Sequence, residues 1–78
     1  MIITAEHVQR LLDAEGEEAA LVLIGGRAEV VADAADSGGL LVTDRQDLLR
    51  RVEAEGRTPA TLERIAAGLD TAVADLGG

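Results

Sequence analysis

The chain has 78 residues, seven of them basic and fifteen acidic, for a formal charge of −8, and it contains no Cys, Phe, Trp or Tyr. That length allows one domain, 1–78. The missing cysteines exclude disulfides and thiolate metal sites. The negative charge repels phosphate backbones and disfavours nucleic acid as a partner.

The first element predicted in chain order is a helix over about residues 5–15, with Thr4 able to cap it and Gly16 to end it. Ala5, Val8, Leu11 and Leu12 share one face at helical spacing, and Ile3 can staple onto Val8. Glu6 and Arg10 stand four apart on the other face.

Two β-rich runs follow, Ala19–Ile24 and Arg27–Ala32, around Gly25-Gly26. Both positions of such a tight turn need positive φ, which glycine adopts freely, so the pattern reads as a two-residue hairpin. The turn fixes the register: Ile24 opposite Arg27, Leu23 opposite Ala28, Val22 opposite Glu29 and Leu21 opposite Val30. One face then carries Leu21, Leu23, Ala28, Val30 and Ala32 and resembles a core. The other mixes Val22, Ile24 and Val31 with Arg27 and Glu29, and is a candidate interface.

Residues 33–39 read as a loop of small and acidic side chains, and Leu40-Leu41-Val42 as a short third strand. A helix over about 44–55 is capped by Thr43 or Asp44, presents Leu48, Leu49 and Val52, and closes at Gly56. The last helix has the strongest start signal, Thr58 followed by Pro59 at the first helical position. Leu62, Ile65, Leu69, Ala72 and Leu76 recur along it at heptad-like spacing, and mid-helix Gly68 costs about 1 kcal/mol relative to Ala. The predicted fold is thus α+β, in the order α-β-β-β-α-α. Its three-stranded antiparallel sheet has helices packed chiefly on one face.

The core of such a chain is purely aliphatic. Each buried Leu, Val or Ile contributes roughly 1.5–3 kcal/mol, against about 1–2 kcal/mol of backbone entropy per ordered residue. A balance this thin is commonly relieved by association, which points to a homodimer or another protein partner. Ala60, Ala67 and Ala74 also repeat every seven residues on the last helix, roughly opposite its leucines, and form a second candidate interface.

Charge is unevenly distributed. Residues 1–43 hold Arg10 and Arg27 against eight acidic residues, whereas 44–64 hold five Arg against five. Arg50, Arg51 and Arg57 cluster at the end of the second long helix, a candidate contact for an anion or an acidic partner. Local pairing explains them as well, since Asp47 and Arg51 stand four apart.

His7 is the single histidine and Ser37 the single serine, and they are distant in sequence, so no nucleophile–base arrangement is evident. An enzyme using His7 is the weakest reading, and a non-catalytic contact protein the leading one. The acidic clusters Glu15–Glu18 and Asp33–Asp36 lack calcium-loop spacing, and the paired glycines match no phosphate-binding pattern. No cofactor or metal is expected. With no apolar run of about 18 residues and no basic-then-apolar leader, the expectation is a cytoplasmic protein away from membranes.

Leu76-Gly77-Gly78 resembles the diglycine tail of ubiquitin-like modifiers and sulfur carriers. That likeness implies activation at Gly78 and a β-grasp fold whose tail leaves a strand. The Val22–Val31 hairpin and the Leu69–Gly78 ending together resemble short actinobacterial proteins with no assigned activity. Arg as the only basic residue type, beside abundant Ala, Gly and Asp, fits the GC-rich coding of that group.

Overall fold

A computed structural model describes residues 2–77, with side-chain surroundings up to Asp75. The elements are α1 (Ala5–Asp13), β1 (Ala20–Ile24), β2 (Arg27–Val31), α2 (Ala34–Ser37), β3 (Leu40–Asp44), α3 (Arg45–Glu55) and α4 (Pro59–Gly77). The predicted α+β architecture and antiparallel sheet are present. The order is α-β-β-α-β-α-α, because residues 33–39 are not a plain loop but contain α2. Asp33 caps it by accepting from the Ala35 amide at 2.9 Å.

Local chemistry sets most boundaries. The Thr4 amide donates to Nδ1 of His7 at 3.1 Å, while the His7 amide donates to the Thr4 carbonyl at 3.0 Å. α1 stops at Asp13, two residues short of expectation, as Ala14 turns extended. The vacated helix end is engaged by Arg45, whose guanidinium donates to the Leu12 carbonyl at 3.4 Å. Asp44, rather than Thr43, caps α3 by accepting from the Asp47 amide at 2.7 Å. Thr58 caps α4, accepting from the Thr61 amide at 3.2 Å, and buried Thr61 donates to the Glu55 carbonyl at 3.3 Å. That bond joins the start of α4 to the end of α3.

The sheet order is β2-β1-β3, with both pairs antiparallel. The hairpin register is the predicted one, Ile24 with Arg27 through Leu21 with Val30. Gly25 and Gly26 at its tip have φ of 58° and 80°. β3 pairs with the other side of β1 and carries a bulge, since Leu21 faces Thr43 while Val22 faces Leu41, leaving Val42 over.

One face of the sheet packs on α1 and α3, and α4 packs on α1. The core there joins Ile3, Val8, Leu11, Leu21, Leu48 and Leu62 with Ile65 and Leu69, all buried. Ile3 and Val8 are both fully buried, as the staple predicts. Ala32, expected on this face, is exposed, because it lies one residue past the end of β2. In α4 the buried stripe continues from Leu69 to Val73 and not to exposed Ala72, while the Leu76 side chain lies outside the described residues.

Candidate interaction surface

Because β2 and β3 lie on opposite sides of β1, the chain between them must cross β1. It crosses on the face away from the core. Ala34 and Ala35 of α2 there share a cleft with Ala20, and the backbone at Gly39 runs close to Val22 and Ile24. A methyl group at residue 39 would lie 2.7 Å from the Leu23 carbonyl oxygen, 2.7 Å from Ile24 Cγ1 and 3.2 Å from Val22 Cβ. Only glycine lets the backbone come this close.

The crossing divides the expected Val22/Ile24/Val31 interface. Val22 is 0% exposed, covered by its own chain, and so offers no surface to a partner. Val31 is half-buried, and Ile24 is 36% exposed beside the turn. The apolar exposure has moved to the strand edge: Leu40 is 53% and Leu41 51% exposed. These are the largest exposed aliphatic side chains among the described residues, with Ile2 and Ile24 next. Neither leucine was singled out from the sequence. The available signal was the run Ser37–Thr43, free of charge in a chain of net charge −8 and centred on two leucines.

Faces along β3 follow its pairing. Leu40 opposite Leu23 and Thr43 opposite Leu21 belong to the core side, as does Val42, which packs against the core. Leu41 opposite Val22 and Asp44 opposite Ala20 belong to the outer side. Leu41 and Asp44 help to line an open cleft of about 380 Å³ together with Glu17, Glu18 and Asp33. No group of His, Asp and Glu among the described residues is arranged to hold a metal ion, and the cleft wall is a solvated acidic surface.

The other predicted sites are dispersed. Ala60, Ala67 and Ala74 are all exposed on α4, as the second stripe requires. Gly68 beside them has open space where a Cβ would stand, so neither tight packing nor a close neighbour explains it. Arg50 and Arg51 both turn to Asp47, at 3.0 and 3.8 Å, while Arg57 is exposed and forms no ion pair among the described residues. Asp47 thus gathers the two guanidiniums locally. His7 is half-buried, with Nδ1 occupied by the Thr4 amide and the Thr4 hydroxyl 3.2 Å away, which makes it part of the helix cap. α4 runs through Gly77, so a helix and not a strand precedes the last residue, and Gly78 itself lies outside the described residues.

One tertiary fastening had no signal in the sequence. Asp70 on α4 accepts from the amides of Ile2 at 2.7 Å and Ile3 at 3.0 Å, pinning the segment before α1. Hydrogen bonds from the Ile3 and then the Ile2 amide favour its charged form and hold its carboxyl below the ordinary value of 3.8. No described helix is long and apolar enough to cross a membrane. No protein-family model matches the chain, and no curated protein or solved structure is found similar to it, so the surface itself carries the functional argument.

Proposed function

We propose that this chain is a non-catalytic protein-contact module that self-associates, and that its contact element is the open β3 edge. The observation that carries the proposal is the exposure of Leu40 and Leu41, each more than half accessible, on the outermost strand of a three-stranded sheet. An edge strand presents unpaired backbone amides and carbonyls, and natural proteins ordinarily blunt such an edge with charge, proline, a bulge or a cover; of these β3 has the bulge at Val42 but neither charge nor proline across Leu40–Thr43. Here the edge has aliphatic side chains instead, and the nearest charged residues in sequence are Asp36 and Asp44. Addition of a strand satisfies the backbone groups and removes the leucines from water together. The engagement of His7 in the α1 cap supports a non-catalytic reading. A surface of one short strand is at the small end of specific interfaces, the class of weak, transient contacts.

Sedimentation velocity across a micromolar concentration series tests the proposal. The expected result is a reversible shift from one chain toward two. Leu41→Lys, on an exposed position, should weaken that equilibrium about 100-fold or more without lowering the melting temperature. Monomers throughout would contradict self-association, and a dimer indifferent to Leu41→Lys would remove β3 as its contact.

A further inference from the structure

We propose that the cleft between α1 and the free edge of β2 binds a small zwitterion of the α-amino-acid type, its carboxylate held by Arg10, Arg27 and His7 and its ammonium by Glu29. The site lies on the edge of the sheet away from β3 and goes beyond the contact reading.

The cleft holds about 450 Å³ and is lined by His7 and Arg10 from α1 and by Arg27, Ala28, Glu29 and Val30 from β2. A smaller one of about 310 Å³ shares His7, Arg27 and Ala28 with it. Volumes of this order belong to the small end of small-molecule sites. Residues 1–43 contain two Arg and one His among eight acidic residues, and all three of these basic side chains converge here.

Each of the three has donors to spare. The Thr4 amide can only donate, so the His7 Nδ1 that it meets at 3.1 Å carries a lone pair, and the proton of the neutral ring sits on Nε2. The helix cap thereby presets His7 as an N–H donor. Arg27 is exposed and forms no ion pair among the described residues. Arg10 meets Glu6 at 2.6 Å, but both side chains are about two-thirds exposed, and a surface pair of this kind is weak.

The backbone adds further groups. Bonded and open positions alternate along an antiparallel ladder. The two-residue turn makes Ile24 with Arg27 a bonded pair, and Val22 with Glu29 is the next. The amides and carbonyls of Ala28 and Val30 therefore point away from β1 at the open edge, where no backbone partner among the described residues takes them up.

Charge decides the ligand class. Guanidiniums select a carboxylate, which matches their fork two bonds at a time. A bare anion, however, approaches a chain of charge −8 and meets Glu29 in the same cleft. A zwitterion has no net charge to be repelled, and its ammonium answers Glu29 and the outward carbonyl of Ala28. A phosphate monoester, with up to two negative charges and nothing for Glu29, is disfavoured on the same ground. Ala28 and Val30 make the rest of the wall apolar, which suits a short aliphatic side chain.

The probe is L-valine, beside isovalerate, which lacks its ammonium, and isobutylamine, which lacks its carboxylate. Each is titrated into the full chain at neutral pH and constant ionic strength while backbone amide and imidazole NMR signals are followed. L-Valine should give saturable shifts at the Ala28 and Val30 amides and at the His7 ring. Isovalerate and isobutylamine should each bind about ten-fold more weakly, since each forfeits a charge-assisted contact. Arg27→Gln and Glu29→Gln, both at exposed positions, should each weaken L-valine by about as much with the melting temperature unchanged. No saturable shift up to tens of millimolar, or shifts centred elsewhere, would overturn the site. Isovalerate binding as tightly as L-valine would overturn the zwitterion. Sedimentation reads self-association separately, so failure here leaves the β3 reading standing, and a monomeric chain leaves this one.

Discussion

The two edges of the sheet belong to strands of equal length and similar local propensity, yet they meet water differently. Along β2 the exposed positions are Arg27 and Glu29, while Ala28 and Val30 turn inward against the core. Along β3 the exposed positions include Leu40 and Leu41, and charge returns only at Asp44. Charged side chains on an edge make a docking strand lose their hydration, whereas leucines gain from being covered. The same three-stranded sheet therefore carries charge along one edge and, beside a bulge, exposed leucines along the other.

The largest expected effect breaks the comparison by removing the sheet. Val22→Glu places an unpaired charge where the side chain is 0% exposed, at a cost of about 3 kcal/mol or more. Chemical denaturation should show a lost or greatly lowered midpoint. A merely weakened dimer with intact folding would mean that Val22 faces a partner and not its own chain. Gly39→Ala is expected to come next. The added methyl meets the Leu23 carbonyl, a backbone atom with little freedom to move, so a loss of about 1–3 kcal/mol is expected. Because residue 39 leads into β3, association should weaken with it, while the β2 side of the hairpin keeps its pairing by NMR.

Much of this geometry was legible beforehand, and the parts that were not share a cause. The hairpin register could be read because Gly25-Gly26 leaves a two-residue turn one way to join its strands. The α4 start could be read because Thr58-Pro59 is a local signal, satisfied within one turn. The helix over residues 34–37 could not, since four residues are too few for a hydrophobic period and its stability comes from lying across β1. Val22 looked available for the same reason. Its burial depends on which side of the sheet the crossing takes, and no local pattern records that. The leucines at 40 and 41 were visible as a short strand, but whether they faced core or solvent depended on the sheet order β2-β1-β3 and on the bulge at Val42. The contact between Asp70 and the amides of Ile2 and Ile3 spans almost the whole chain and had no sequence signature.

Smaller effects sharpen the comparison by leaving the edges alone. Gly68→Ala fills open space on the exposed side of α4 and should stabilise the fold by up to about 1 kcal/mol, a rise of about 4–8 °C in melting temperature. Association should not change; a weakened dimer would place the contact on the Ala60/Ala67/Ala74 stripe. The smallest effect concerns Asp70. Its carboxyl is lowered in the fold, so its contribution is complete above the unfolded value of about 3.9 and is lost as pH falls through the lower folded value. Between pH 5 and 2 the unsubstituted chain should lose stability more steeply than Asp70→Asn. Parallel acid curves would mean that the amides of Ile2 and Ile3 do not select the charged carboxylate.

Amide hydrogen exchange, read residue by residue at a low and a high protein concentration, tests the difference between the edges most directly. Outward-facing amides within Leu40–Thr43 should slow by about ten-fold or more as concentration rises, because they gain partners in the second strand. Those of Arg27–Val31 should exchange at the same rate throughout. Concentration-dependent protection of β2, or an unchanged β3 in a sample that sedimentation shows to be dimeric, would contradict the account.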